Sequence, residues 1–109
     1  MPWLLRQNDV LATLEVAESF RERALGLLGR DEVPGALLIR PARSVHTIGM
    51  RFAIDVAFCD KELMVLSTTT LSPFRLTVPR MRARCVIEAP AGAFARWGLG
   101  VGDQLEIKG

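Results

Sequence analysis

Ser44-Val-His-Thr-Ile-Gly-Met-Arg-Phe-Ala-Ile-Asp-Val-Ala-Phe58 decides how the chain is read, because it combines an apolar alternation with most of the polar groups suited to chemistry. In an extended strand, Ile48, Met50, Phe52, Ile54, Val56 and Phe58 share one face, with Ser44 and His46 at its end. Thr47, Arg51, Ala53, Asp55 and Ala57 take the opposite face. Gly49 is the expected bend or bulge. The segment predicts a buried strand, and polar groups in such a strand must find partners or serve a function.

On the N-terminal side, Val10, Ala12, Leu14 and Val16 alternate with Leu11, Thr13 and Glu15, the pattern of a half-buried strand. Ser19 and Glu22 have capping-box spacing, and Phe20, Ala24, Leu27 and Leu28 follow at helical spacing. A helix ended by Gly29 is therefore expected. Val33-Pro34-Gly35 signals a turn before a short strand over Ala36–Arg40. On the C-terminal side, Asp60-Lys61-Glu62 reads as a hairpin connection into Leu63–Leu71. Ser72-Pro73 and Pro79 bracket an irregular piece, and Arg84–Ala89 predicts a further strand. Pro90-Ala-Gly92 leads into a short helix over Ala93–Trp97 that Gly98 stops; a turn over Gly100–Asp103 precedes a last strand, Gln104–Ile107. About six or seven short strands and two short helices, without regular βαβ alternation, predict an α+β fold that is mostly β. A curved or barrel-like mixed sheet in one domain, residues 1–109, is expected.

Half of the 109 residues are hydrophobic and 24% are charged, which suits a globular protein, and a net charge of +2 is too small to argue for nucleic acid. Twelve of the fourteen basic residues are arginine. Cys59 and Cys85, the only two cysteines, have no C-x-x-C spacing and read as small buried hydrophobes. No stretch reaches membrane-spanning length, and Met1–Asp9 lacks the basic n-region of a secretory signal. A cytoplasmic location without membrane contact is the expectation.

His46, the single histidine, is the natural candidate for a general acid or base. Its competing reading is a strand-end histidine tied to the backbone. A Ser44–His46–Asp55 triad is disfavoured, since residues two apart on a strand are separated by about 6.6 Å. Arg51 and Asp55 share a face but stand about 13 Å apart at that rise. Asp55 reads either as an acceptor for backbone N–H groups of a crossing loop or, with Arg51, as part of a pocket shared with His46 and Thr47. A soft set of His46, Met50, Cys59, Met81 and Cys85 would suit monovalent copper, but core packing explains it better, and neither metal nor cofactor is expected. Arg75, Arg80, Arg82 and Arg84 concentrate positive charge without the aromatic interleaving of single-strand binders.

Several of these residues resemble one family. Arg23-Ala-Leu-Gly-Leu-Leu28, Ser44-Val-His-Thr47, Met50-Arg-Phe52, Ile54-Asp-Val56, Pro73-Phe-Arg75, Glu88-Ala-Pro-Ala-Gly92 and Gly98-Leu-Gly-Val-Gly-Asp103 are similar, in order, to domain of unknown function 192. The resemblance implies a compact, mostly β domain with a short helix and no established activity. Gly49 and Ala53 depart from the bulky apolar residue and the proline usual there, and the Asp60 hairpin lacks the usual glycine. The leading expectation is a non-catalytic binding domain. Its pocket of Ser44, His46, Thr47, Arg51 and Asp55 would take a small anionic ligand or a partner's peptide. The alternatives are a small enzyme using His46 oriented by Asp55, and a weak nucleic-acid binder acting through Arg75–Arg84. Oligomeric state is left open.

Overall fold

Alternation in the N-terminal third builds a hairpin. The computed structural model describes residues 2–19 and 35–109. In it, β1 (Trp3–Arg6) and β2 (Asp9–Ala17) pair antiparallel across Gln7 and Asn8, which both take positive φ, 51° and 69°. Positive φ at both central residues of a two-residue loop matches the right-handed twist of the flanking strands. The expected Ser19–Gly29 helix, with its capping box, falls outside the described residues after Ser19.

Gly35 brings β3 (Ala36–Ile39) alongside β2, and a Cβ there would lie 2.3 Å from Thr13 Oγ1 and 2.6 Å from the Thr13 carbonyl oxygen. β4 (Ile54–Cys59), β5 (Val65–Leu71), β6 (Cys85–Pro90), helix α1 (Ala93–Trp97) and β7 (Glu106–Lys108) complete the described elements. The seven strands form one mixed sheet in the order β5-β4-β6-β3-β2-β1-β7, with β2 and β3 parallel and the other neighbours antiparallel.

The sheet does not close into a barrel. Its edge strands approach each other at one isolated bridge, Met64 to Gln104, helped by the Leu105 N–H donating to Leu63 O and the Val65 N–H donating to Asp103 O. β7 is only three residues long, so no ladder continues from that point. Of the two short helices expected, α1 is the one found among the described residues, at the predicted bounds.

β4 and β6 are buried on both faces because each face packs into its own apolar cluster. Leu4, Leu14, Leu38, Ala57, Ile87 and Ala89 meet Ala93, Phe94 and Leu105 on one side. Leu37, Ile39, Ile54, Val56, Phe58 and Val86 meet Val45, Met50 and Ala83 from the loops on the other. Side chains two apart on a strand share a face, which sorts the odd and even residues of β4 between the clusters.

The strand predicted across Ser44–Phe58 is confined to β4. The Thr47 carbonyl accepts from the N–H of Met50 and of Phe74, closing a turn whose third residue, Gly49, has φ 84°. That conformation suits glycine and ends the extended run. Met50 still reaches the core from this loop, so the apolar alternation continues through a segment that is not strand.

Candidate functional site

Asp55 points from β4 towards the corner between β6 and α1 and is 3% exposed. Its Oδ2 accepts from the backbone N–H of Gly92 and of Phe94, both at 3.0 Å, and its Oδ1 accepts from the Thr70 hydroxyl at 2.7 Å. Gly92 is the N-cap of α1 and has no side chain of its own to cap with. The carboxylate of a different strand therefore supplies the acceptor that a short helix needs at its start. A hollow of about 340 Å³ lies beside it, lined by Thr68, Thr69, Thr70, Gly92, Phe94 and Ala95.

Thr47 is also sealed, fully buried in the segment that follows β3. Its hydroxyl donates to the Ser72 carbonyl at 2.7 Å and accepts from the Arg75 N–H at 2.8 Å. Its backbone N–H donates to Arg75 O, and the Thr77 N–H donates to Val45 O. Together these place His46 opposite Leu76 in an isolated antiparallel bridge of the wide, non-hydrogen-bonded type. Residues 43–47 and 73–80 thus form an irregular two-stranded ribbon, extended by the Arg80 N–H donating to Arg43 O. Val45 and Thr47 turn inwards, while Ser44, His46 and Leu76 are exposed.

The predicted pocket residues are therefore not gathered into one hollow. Ser44 and His46 stand on the ribbon's outer side, and Arg51 is exposed in the bend after Met50. Thr47 and Asp55 are committed to separate backbone partners, and no hydrogen bond joins His46 to Asp55. The soft-metal set is dispersed as well. Met81 is exposed, and Met50 packs in the cluster across the sheet from Cys59 and Cys85.

Two features escaped the sequence reading. Glu88 on β6 is 3% exposed between its strand neighbours Leu37 and Val56, and its Oε2 has no hydrogen-bond partner among the described residues. Burial among apolar neighbours pushes its carboxyl up to about 7. The available signal was a lone carboxylate within the otherwise apolar run Cys85–Ala89. The second feature is the ribbon's apolar surface: Phe74, Leu76, Val78 and Met81 are 70%, 72%, 79% and 73% exposed. Large apolar residues at every second position between Pro73 and Pro79 were its signal.

At Leu76 the wide-pair pattern turns the backbone N–H and C=O away from residues 43–47, leaving an open strand edge beside these side chains. Arg75, Arg80 and Arg82 are exposed along the same segment. The Arg80 guanidinium lies 5.2 Å from the centre of the Phe58 ring and covers it.

Comparison with known proteins agrees with this architecture. UPF0127 proteins of Pyrococcus abyssi and Pyrococcus furiosus are 36% and 33% identical over 98 and 104 residues. The alignments span 85% and 91% of this chain and 84% and 90% of those proteins. Among solved structures, a protein of unknown function from Novosphingobium aromaticivorans superposes with a TM-score of 0.80 at 20% identity, covering 96% of this chain and 82% of that one. A Sinorhizobium meliloti protein proposed as a transcription regulator superposes with a TM-score of 0.79 at 21% identity, covering 96% and 90%. At such identities these two establish the fold alone. The DUF192 profile, described as an uncharacterised ACR family, matches residues 4–107, and the chain belongs to that family.

Proposed function

We propose that this protein is a non-catalytic binding domain whose partner is an acidic, extended polypeptide segment laid along the ribbon. The observation that carries this reading is the open edge at Leu76, set among exposed Phe74, Val78 and Met81 and the cations Arg75, Arg80 and Arg82. Single exposed hydrophobic residues need no explanation, but four large ones within eight positions form a patch of the kind that marks interaction sites. An unpaired edge offers main-chain hydrogen bonds to an added strand, and alternate side chains supply specificity. The arginines favour a partner carrying carboxylates. Catalysis by His46 has less support, since no carboxylate among the described residues is hydrogen-bonded to its ring.

Titrating a short peptide that alternates glutamate and valine into the protein tests this reading. Saturable binding is expected, weakening as salt is added, while the lysine–valine counterpart does not bind. Leu76→Asp, at an exposed position that costs within about 0.5 kcal/mol of stability, is expected to weaken binding at least roughly tenfold, equivalent to about 1.4 kcal/mol. Equal binding of the acidic and basic peptides would contradict the reading. So would duplex DNA binding in preference to the peptide through the same arginines.

A further inference from the structure

Cys59 on β4 and Cys85 on β6 are opposed in register across an antiparallel pair. Both side chains face the cluster that contains Leu63 and Val65, and both thiols are free. Directly opposed residues in such a pair have Cα atoms about 4.5–5.5 Å apart, inside the range of about 4.4–6.8 Å that a disulfide spans. The Cys85 thiol reaches the Asp60 carbonyl at 3.4 Å and the Cys59 carbonyl at 3.9 Å, so the Cys85 sulfur lies against the backbone of its partner cysteine. Cys85 also lines a cavity of about 340 Å³ with Glu18, Arg40, Lys61, Leu63 and Arg84. Among the described residues three cations and one carboxylate line that opening, and Glu18 is paired with Arg40 at 3.2 Å. Both cysteines are buried, Cys59 at 0% and Cys85 at 3% exposure, and Cys85 is the one at the cavity wall.

We infer that Cys59 and Cys85 form a dithiol site that reacts with an anionic, low-molecular-weight disulfide entering through the Arg40–Lys61–Arg84 opening. Cys85, at the cavity, is the attacking thiol, and Cys59 is the resolving one. The Cys85 thiolate attacks one sulfur of the incoming disulfide, whose S–S bond breaks. The displaced thiolate leaves with the electron pair and takes up a proton. Cys59 then loses its proton to water and attacks Cys85 Sγ in the mixed disulfide, expelling the second thiolate, which is protonated in turn. The protein loses two electrons and two protons, and the small disulfide is reduced to two thiols.

The division of roles agrees with the electrostatics. Hydrogen bonding from Cys59 holds the Cys85 thiol below its ordinary range, and Arg40 adds to this, against burial and the Asp60 carboxylate. The same hydrogen bond, followed by burial, pushes Cys59 upwards. A thiol in an electropositive setting is the one that attacks.

Oxidised glutathione as the anionic probe and cystamine as the cationic one, with intact-mass and thiol analysis of the folded protein, test the inference. In the wild-type chain both thiols are expected to disappear without any glutathione remaining attached. Cys59→Ser is expected to hold one glutathionyl group on Cys85, and Cys85→Ser to stay unmodified. Because either change could unfold the chain, Lys61→Glu provides an independent arm at an exposed position. It is expected to slow the glutathione reaction by roughly tenfold at low salt while leaving cystamine no slower. Two intact thiols in the treated folded protein, a stable adduct on the wild-type chain, or equal rates with the two reagents would overturn the inference.

Discussion

Asp55 commits Oδ2 to the corner after β6 and Oδ1 to the Thr70 hydroxyl of β5, whereas His46 stands in solvent on the ribbon. The two residues therefore respond differently to truncation. Asp55→Ala leaves two backbone N–H groups and the Thr70 hydroxyl without their acceptor, and is expected to cost about 2–3 kcal/mol. His46→Ala is expected to change stability by less than about 0.5 kcal/mol. Urea unfolding of both variants checks this through the transition midpoint at constant slope. Glu88 makes a pH-dependent prediction. Below its ordinary value of 4.5 the carboxyl is protonated in folded and unfolded chains alike. Between 4.5 and about 7 the unfolded chain releases a proton that the folded chain retains, so stability falls as pH rises. Above about 7 the loss is complete, at about 3 kcal/mol. Glu88→Gln is expected to remove that component, flattening the unfolding free energy across this window.

Helix α1 has only five residues, far too few to persist unaided, and its ends show what holds it. Asp55 caps the start. At the other end Gly98, with φ 64°, sends its N–H back to the Ala95 carbonyl, and Leu99 bonds Phe94 O. Arg6 of β1 donates to the carbonyls of Trp97 and Gly98 and to Asp103 Oδ2, tying the helix end to the first strand. The Gly100 N–H and Arg6 hold the Asp103 carboxyl below its ordinary range. Arg6→Ala is expected to cost about 1–2 kcal/mol and Gly98→Ala about 1 kcal/mol. Thermal unfolding followed by the fluorescence of the two tryptophans, Trp3 and Trp97, measures both.

The ends of α1 were legible because Gly92 and Gly98 punctuate a short sequence-local element. β1 was not. A register shift between Leu4 and Leu5 buries both, which erases the alternation that marks a strand. The central run misled in the opposite sense, since Met50 reaches the core from a turn and preserves a strand-like pattern where no strand exists. Of the candidate site, residue types were readable but their surroundings were not. The side-chain partners of Asp55 and Thr47 lie at least fifteen residues away along the chain, and the environment of Glu88 is made by Leu37 and Val56 on other strands.

At the scale of the whole molecule, a sheet whose central strands are buried on both faces leaves, among the described residues, a row of exposed apolar side chains along the ribbon. The modest net charge of +2 hides a local concentration of arginine next to exposed apolar side chains. Association through such a surface combines apolar burial with electrostatic steering. Amide hydrogen exchange with and without the glutamate–valine peptide probes that surface most directly. Added protection of at least roughly tenfold is predicted at the Leu76 amide, with the Asp55-bonded amides of Gly92 and Phe94 unchanged. Protection that appears instead around Thr68–Thr70 and Gly92, or nowhere, would contradict the account.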